Sequence, residues 1–245
     1  MPSKKDLLRK LLKGIETGDA MAAAVVDEER YIQHNPQTHE GGEGLAALFA
    51  RLSKTKPKVK FVRVFEDGDF AFAHNEYDFG GVRVAFEVFR FENKRAVEHW
   101  DNIQPIAGPN ASGRGMTDGT TAISDLDKTE ANRALAREFV ETALIGRSFE
   151  NLGDYVHEAL IQHAPDIADG IPALSASMDK YRYDRLHRVL AEGNFALCVC
   201  EGVKNSVHSG LYNLFRVEDG QIAENWTTVE ATPPRDQWKN DNGKF

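Results

Sequence analysis

Glu98-His99-Trp100-Asp101 lies near the end of a run, Arg95 to Ile103, that reads as a β-strand. Side chains alternate across a strand, so His99 and Asp101 share one face while Glu98 and Trp100 share the other. An imidazole and a carboxylate side by side on a rigid strand form a candidate acid/base pair. The stretch returns as Glu224-Asn225-Trp226-Thr227, which keeps the Glu and the Trp and replaces the His and the Asp. Arg90 and Arg216, Glu98 and Glu224, and Trp100 and Trp226 are each separated by 126 positions. A constant spacing across a whole hairpin marks a duplication. Two copies are too few for a solenoid and read as two α+β domains in tandem.

Working outward, Ser3 and Asp6 set up a capping box for a helix whose apolar face is Leu7, Leu8, Leu11, Leu12 and Ile15. Asp19 caps a second short helix over 20–27, Tyr31 to Pro36 is extended, and Leu45, Leu48, Phe49 and Leu52 mark a third helix. Strands are expected over 59–66, 70–77, 82–91 and 95–103, joined by turns at Asp67-Gly68, Gly80-Gly81 and Glu92-Asn93-Lys94. Pro105 to Lys128 is rich in Gly, Ser, Thr, Asn and Asp, a linker composition. The pattern then repeats: a helix from Thr129, a short helix over 149–155, Leu160 to Pro165, and a helical stretch to Lys180. Strands follow over 185–191, 195–203, 207–217 and 221–230. The expected domains are 1–108 and 129–245, with a linker over 109–128.

The chain of 245 residues is 41% apolar and 28% charged, ordinary for a globular protein. A net charge of -8 argues against a nucleic-acid surface, which needs clustered Lys and Arg. Cys198 and Cys200, two apart on an expected strand, are poorly placed for a direct disulfide. The basic start, Met1-Pro2-Ser3-Lys4-Lys5, lacks the apolar core of a signal peptide, and no apolar run is long enough for a membrane span. The expected location is cytoplasmic, with no membrane partner.

Tyr31-Ile32-Gln33-His34-Asn35-Pro36, Gly42-Glu43-Gly44, Phe89-Arg90-Phe91-Glu92 and Glu98-His99-Trp100-Asp101 together resemble the SnoaL-like branch of the nuclear transport factor 2-like superfamily. The resemblance covers residues 3 to about 104 well and 129 to about 230 more loosely. It implies two cone-shaped domains, each with three helices packed in a curved antiparallel or mixed sheet around a pocket. It also implies that the sheets pair face to face, as an internal pseudo-dimer or a homodimer. Members include polyketide cyclases that close rings by aldol chemistry, ketosteroid isomerase-like enzymes and epoxide hydrolases. In the cyclases the residue matching Asp101 is the acid/base group and the position matching Glu87 is a catalytic His; here it is Glu, and Asn213 takes that place in the second copy.

Asp101, His99, His34 and Glu87 are thus the candidate catalytic residues, and Tyr31, Phe72, His74, Phe89 and Trp100 the candidate ligand-lining ones. Desolvation at the bottom of an apolar pocket is expected to raise the pKa of Asp101, making it a base near neutral pH, with His34 and His99 polarising a carbonyl. Neither His39 with Glu40 nor His74 with Glu76 has compact metal-ligand spacing, so no metal and no organic cofactor is expected. Three readings stand. One is a cofactor-independent lyase or isomerase acting on a small apolar carbonyl compound in copy one. The second is a non-catalytic small-ligand binding protein. The third is a pairing scaffold that uses the sheet face.

Overall fold

The computed structural model describes residues 2–245, the side chain of Ala20 excepted. The chain divides into two compact units, Met1–Pro105 with Thr232–Phe245, and Ile106–Ala231. Each is α+β, with helices packed on one five-stranded sheet. The tail from Thr232, expected in the second domain, counts with the first unit.

Unit 1 starts with α1 (Lys4–Thr17). The Ser3 side chain accepts from the Asp6 N–H and the Asp6 carboxylate accepts from the Ser3 N–H, so two orphan donors are satisfied. The helix stops at Gly18, whose φ of 68° places it in the left-handed region that glycine adopts without strain. Leu8, Leu11, Leu12 and Ile15 are buried. The short α2 (Ala20–Ala23) and α3 (Gly41–Ser53) flank β1 (Ile32–Gln33). Then come β2 (Lys58–Asp67), β3 (Phe70–Asp78), β4 (Val82–Glu92) and β5 (Arg95–Pro105). The order is β1-β5-β4-β3-β2, antiparallel except for the β1–β5 pair, in which Ile32 lies beside Glu98 and Gln33 beside His99. Register shifts between Phe61 and Arg63 and between Arg90 and Phe91 mark bulges, the usual device for bending a sheet. The β4–β5 turn, which lacks glycine, closes with Asn93 and Lys94 both in the left-handed region.

Unit 2 has α4 (Thr129–Glu138), which widens into a π-helical stretch, Phe139–Ile145. There follow α5 (Leu152–Tyr155), β6 (Val156–Gln162), α6 (Ile171–Ser177), β7 (Tyr181–Glu192), β8 (Phe195–Lys204), β9 (Val207–Glu218) and β10 (Gln221–Ala231). The order is β6-β10-β9-β8-β7, the same arrangement as in unit 1, again with one parallel pair, β10–β6. β6 begins four residues before the expected extended stretch and β7 four residues before the expected strand. The segment with linker composition is bound to this unit: Asn110 Nδ2 donates to the carbonyls of Gln162 and Ile167, both at 2.7 Å, and Trp226 Nε1 donates to the Asp118 carbonyl at 2.9 Å. Its small polar residues satisfy backbone groups, a role that composition alone does not distinguish from solvation. Cys198 and Cys200 are free and buried in the core. No described helix is long and apolar enough to cross a membrane.

Leu11 is fully buried in the unit 1 core. Leu11→Ala is expected to lower the unfolding free energy by about 2–5 kcal/mol, read by urea denaturation; a loss under ~1 kcal/mol would contradict this core assignment.

Candidate functional site

Strand parity sorts the expected site residues onto two faces. On β5, His99 and Asp101 point to the helix-packed side; on β4, their register partners Phe89 and Glu87 do the same. The parallel β1–β5 pairing aligns Gln33 with His99, so the inward residues of the Tyr31 to Pro36 stretch are Tyr31, Gln33 and Asn35. All of Tyr31, Gln33, Glu87, Phe89, His99 and Asp101 are less than a tenth exposed.

The hydrogen bonds within this cluster are directional. Gln33 Oε1 accepts from the Asn35 N–H at 2.8 Å and faces His99 Nδ1 at 2.9 Å, so the amide oxygen is an acceptor and Nδ1 carries a proton. His99 Nε2 lies 2.7 Å from Glu87 Oε2, and the other carboxylate oxygen accepts from the Tyr77 hydroxyl at 2.9 Å. One further proton is therefore shared between Glu87 and His99. The His99 ring is stacked on Phe89 with centroids 4.3 Å apart, and the Tyr31 ring lies 6.5 Å away, nearly parallel.

Asp101 has different neighbours. Asn35 Nδ2 donates to Oδ2 at 2.6 Å, and Lys244 Nζ donates to the Asp101 carbonyl at 2.9 Å and to Oδ1 at 3.3 Å. Lys244 is only 3% exposed. It is held there by the C-terminal tail: Asn240 Nδ2 donates to the carbonyls of Asn35 and Thr38, and Asn242 Nδ2 to that of Gln33. The two carboxyls are driven apart. Burial raises Glu87 above the usual value of 4.5, against the opposing pull of His99. Burial also works to raise Asp101, but the Lys244 charge, then that of His99 and the Asn35 hydrogen bond, outweigh it and hold Asp101 below 3.8. The raised Asp101 pKa expected from desolvation is thus corrected: the expectation lacked the cation supplied from the far end of the chain.

His34, Phe72, His74 and Trp100 are not brought to this cluster. His34 and Trp100 lie on the other face of the β1–β5 pair, their rings stacked 4.6 Å apart. His34 Nε2 contacts Glu98 Oε1 at 3.0 Å, its Nδ1 donates to the Gly243 carbonyl at 3.0 Å, and Arg90 Nε holds the other Glu98 oxygen at 2.7 Å. Burial pulls the His34 pKa down. Unit 2 repeats this arrangement: His163 with Glu224 at 2.8 Å and the Gly115 carbonyl at 2.7 Å, Arg216 on Glu224, and His163 stacked on Trp226. A network present in both copies is not the feature that sets copy one apart; in unit 1 its imidazole holds the Gly243 carbonyl of the tail, and in unit 2 the Gly115 carbonyl of the stretch after β5. Phe72 and His74 share the other face of β3; Phe72 stacks on Phe65, and His74 stacks on Phe86 and bonds Arg63. The groove beside α3, lined by residues including Gln37, His39 and Arg51, contains none of the cluster.

Gln33, Asn35, Tyr77 and Lys244 were not singled out from sequence. Alternation along Tyr31 to Pro36 points to Gln33 and Asn35, which share the parity of Tyr31. The recurrence of Asn110-Ala111-Ser112-Gly113-Arg114 as Asn240-Asp241-Asn242-Gly243-Lys244 is a signal for the tail. The ligand atoms of Glu87, His99 and Asp101 lie within 4.8 Å of one another, a spacing that suits a metal ion. Lys244 already neutralises Asp101 and His99 already holds Glu87, so a cation would have to displace both contacts.

No protein-family profile and no curated protein matches the chain. Among solved structures it is similar to TsrD from Streptomyces laurentii, with 19% identity over 42% of this chain and 91% of that one and a TM-score of 0.38. It is also similar to an NTF2-like protein of unknown function from Cytophaga hutchinsonii ATCC 33406, with 17% identity over 43% of this chain and 93% of that one and a TM-score of 0.37. A third is an LEH-like epoxide hydrolase from M. tuberculosis, with 16% identity over 42% and 85% and a TM-score of 0.36.

Lys244→Met leaves the Asp101 carboxylate buried without its cation and is expected to cost about 3–5 kcal/mol at pH 7. In the native chain Asp101 has a depressed pKa, so its stabilisation is present above the unfolded value and fades as pH falls through the lower folded value. In the variant burial is unopposed by Lys244, Asp101 protonates more readily, and the deficit shrinks toward pH 4. Urea denaturation at pH 7 and pH 4 reads both effects; a deficit that grows on acidification would contradict the assignment.

Proposed function

We propose that unit 1 moves a proton within a small apolar carbonyl compound, as in an isomerisation or an aldol-type ring closure. The observation that carries this reading is the buried Glu87–His99 pair, with a single proton between Oε2 and Nε2 and the far nitrogen of the ring tied to Gln33. Two carboxyls with pKa values pushed in opposite directions provide one group that exchanges a proton and one that stays charged. Glu87 has the raised value and is assigned the proton exchange. Asp101, held ionised by Lys244, is the group that stays charged beside the pair. In the deprotonated pair, Glu87 Oε2 removes a proton from the carbon next to the carbonyl; in the protonated pair, the same proton is returned at a second atom. The fixed Nδ1–H keeps the imidazole in one tautomer through the cycle.

Binding without turnover is the second reading. It is favoured by the protein partners already present on Glu87, His99 and Asp101, which leave the cluster satisfied before any ligand arrives.

The test uses a panel of aromatic and alicyclic ketones with the full chain. Glu87→Gln keeps the shape and removes the exchangeable carboxyl; turnover is expected to fall by about 10² or more with little change in affinity. The native rate is expected to rise with pH through the elevated Glu87 value, since the base form is the ionised one. Undiminished turnover in Glu87→Gln eliminates Glu87 as the proton carrier, and saturable binding of the panel with no turnover favours the second reading.

A further inference from the structure

Unit 2 encloses a cavity between the sheet and its helices, lined by apolar side chains including Leu160, Leu174, Met178 and Phe215 and floored by Gln162, Asn213, Asn225 and Thr227. At the register-matched positions, unit 1 has the charged groups Glu87, His99 and Asp101 where unit 2 has Asn213, Asn225 and Thr227. Among the described residues, no charged side chain lines the unit 2 cavity.

The directions of the hydrogen bonds on this floor follow from one another. The Thr227 hydroxyl donates to Asn213 Oδ1 at 2.9 Å, so its oxygen is left to accept from Asn225 Nδ2 at 3.2 Å. Asn225 Nδ2 also donates to Gln162 Oε1 at 2.9 Å. That assignment turns Asn225 Oδ1 and Gln162 Nε2 away from these partners, and neither atom has another. Gln162 is 0% and Asn225 5% exposed, and the two residues are register partners on β6 and β10. A buried acceptor and a buried donor, on neighbouring side chains at the floor of an apolar cavity, are left unsatisfied at a cost that a matching ligand removes.

We infer that this cavity binds a small neutral molecule that presents a hydrogen-bond donor beside an acceptor, the chemistry of a cis-amide such as a lactam. Its N–H meets Asn225 Oδ1 and its carbonyl meets Gln162 Nε2, while the ring occupies the apolar part. As closed, the cavity has about 10 Å³ of room for the centre of a water molecule, enough for one water. A ring enters when the wall yields, and Met178, at the end of the seven-residue α6, is the adaptable side chain in that wall. This site does not depend on the chemistry assigned to unit 1.

The experiment titrates the full chain with 2-pyrrolidinone and δ-valerolactam, and with cyclopentanone and N-methylpyrrolidinone as rings that lack the donor. The readout is the dissociation constant together with the side-chain amide NMR signals of Gln162 and Asn225. The lactams are expected to bind at least about tenfold more tightly than the donor-free rings and to shift both amide signals. Met178→Ala should tighten lactam binding by widening the cavity. The double variant Gln162→Met, Asn225→Leu should lose the preference for lactams while keeping the circular dichroism of the parent. If neither the native chain nor Met178→Ala prefers lactams, a single ordered water serves the pair and the inference is overturned. Lactam-induced shifts confined to His99 and Asp101 overturn it equally.

Discussion

The pairing of Ile32 and Gln33 alongside Glu98 and His99 decides what the first copy can do. Because alternate side chains leave a strand on opposite faces, this single register puts Gln33 with His99 in the interior and His34 with Glu98 and Trp100 on the other side. A slip of one residue would exchange the two sets. The bulge at the start of β5 belongs to the same constraint, since it lets Ala96 and His99 both face the core although they differ in parity.

On that scaffold the two copies have different floors. Copy one buries two carboxyls and an imidazole, which is tolerable because each has a partner: Tyr77 and His99 for Glu87, Gln33 for His99, and Asn35 and Lys244 for Asp101. Copy two replaces the charges with amides and a hydroxyl and has no need of a buried cation. Its corresponding basic residue, Arg114, pairs instead with Asp169 near the surface. The basic end of the Asn-Xaa-Xaa-Gly segment thus reaches the interior only in the unit whose floor contains a carboxylate.

Much of the fold was legible in the sequence. The capping box at Ser3, the period-two strands and the turn glycines each act locally, so local patterns reveal them. The constant spacing of Arg90, Glu98 and Trp100 from their counterparts exposed the repeated hairpin for the same reason. Motif and alternation group His99, Asp101, Glu87, Tyr31 and Phe89, and the structure brings these five into one buried candidate cluster. His34 and Trp100 were drawn in by their neighbours in sequence, although parity places them on the opposite face. Phe72 and His74 follow the same rule on β3. The Lys244–Asp101 contact spans 143 positions and depends on how the tail returns; no local pattern encodes that, and it reverses the direction of the Asp101 shift.

The electrostatics of unit 1 depend on its two carboxyls being driven in opposite directions by burial and by Lys244. A carbon-13 NMR titration of the Glu87 and Asp101 carboxyls in the full chain measures this directly. The predicted result is a Glu87 midpoint above 4.5 and an Asp101 midpoint below 3.8. The reverse order, with Asp101 titrating above Glu87, would contradict it.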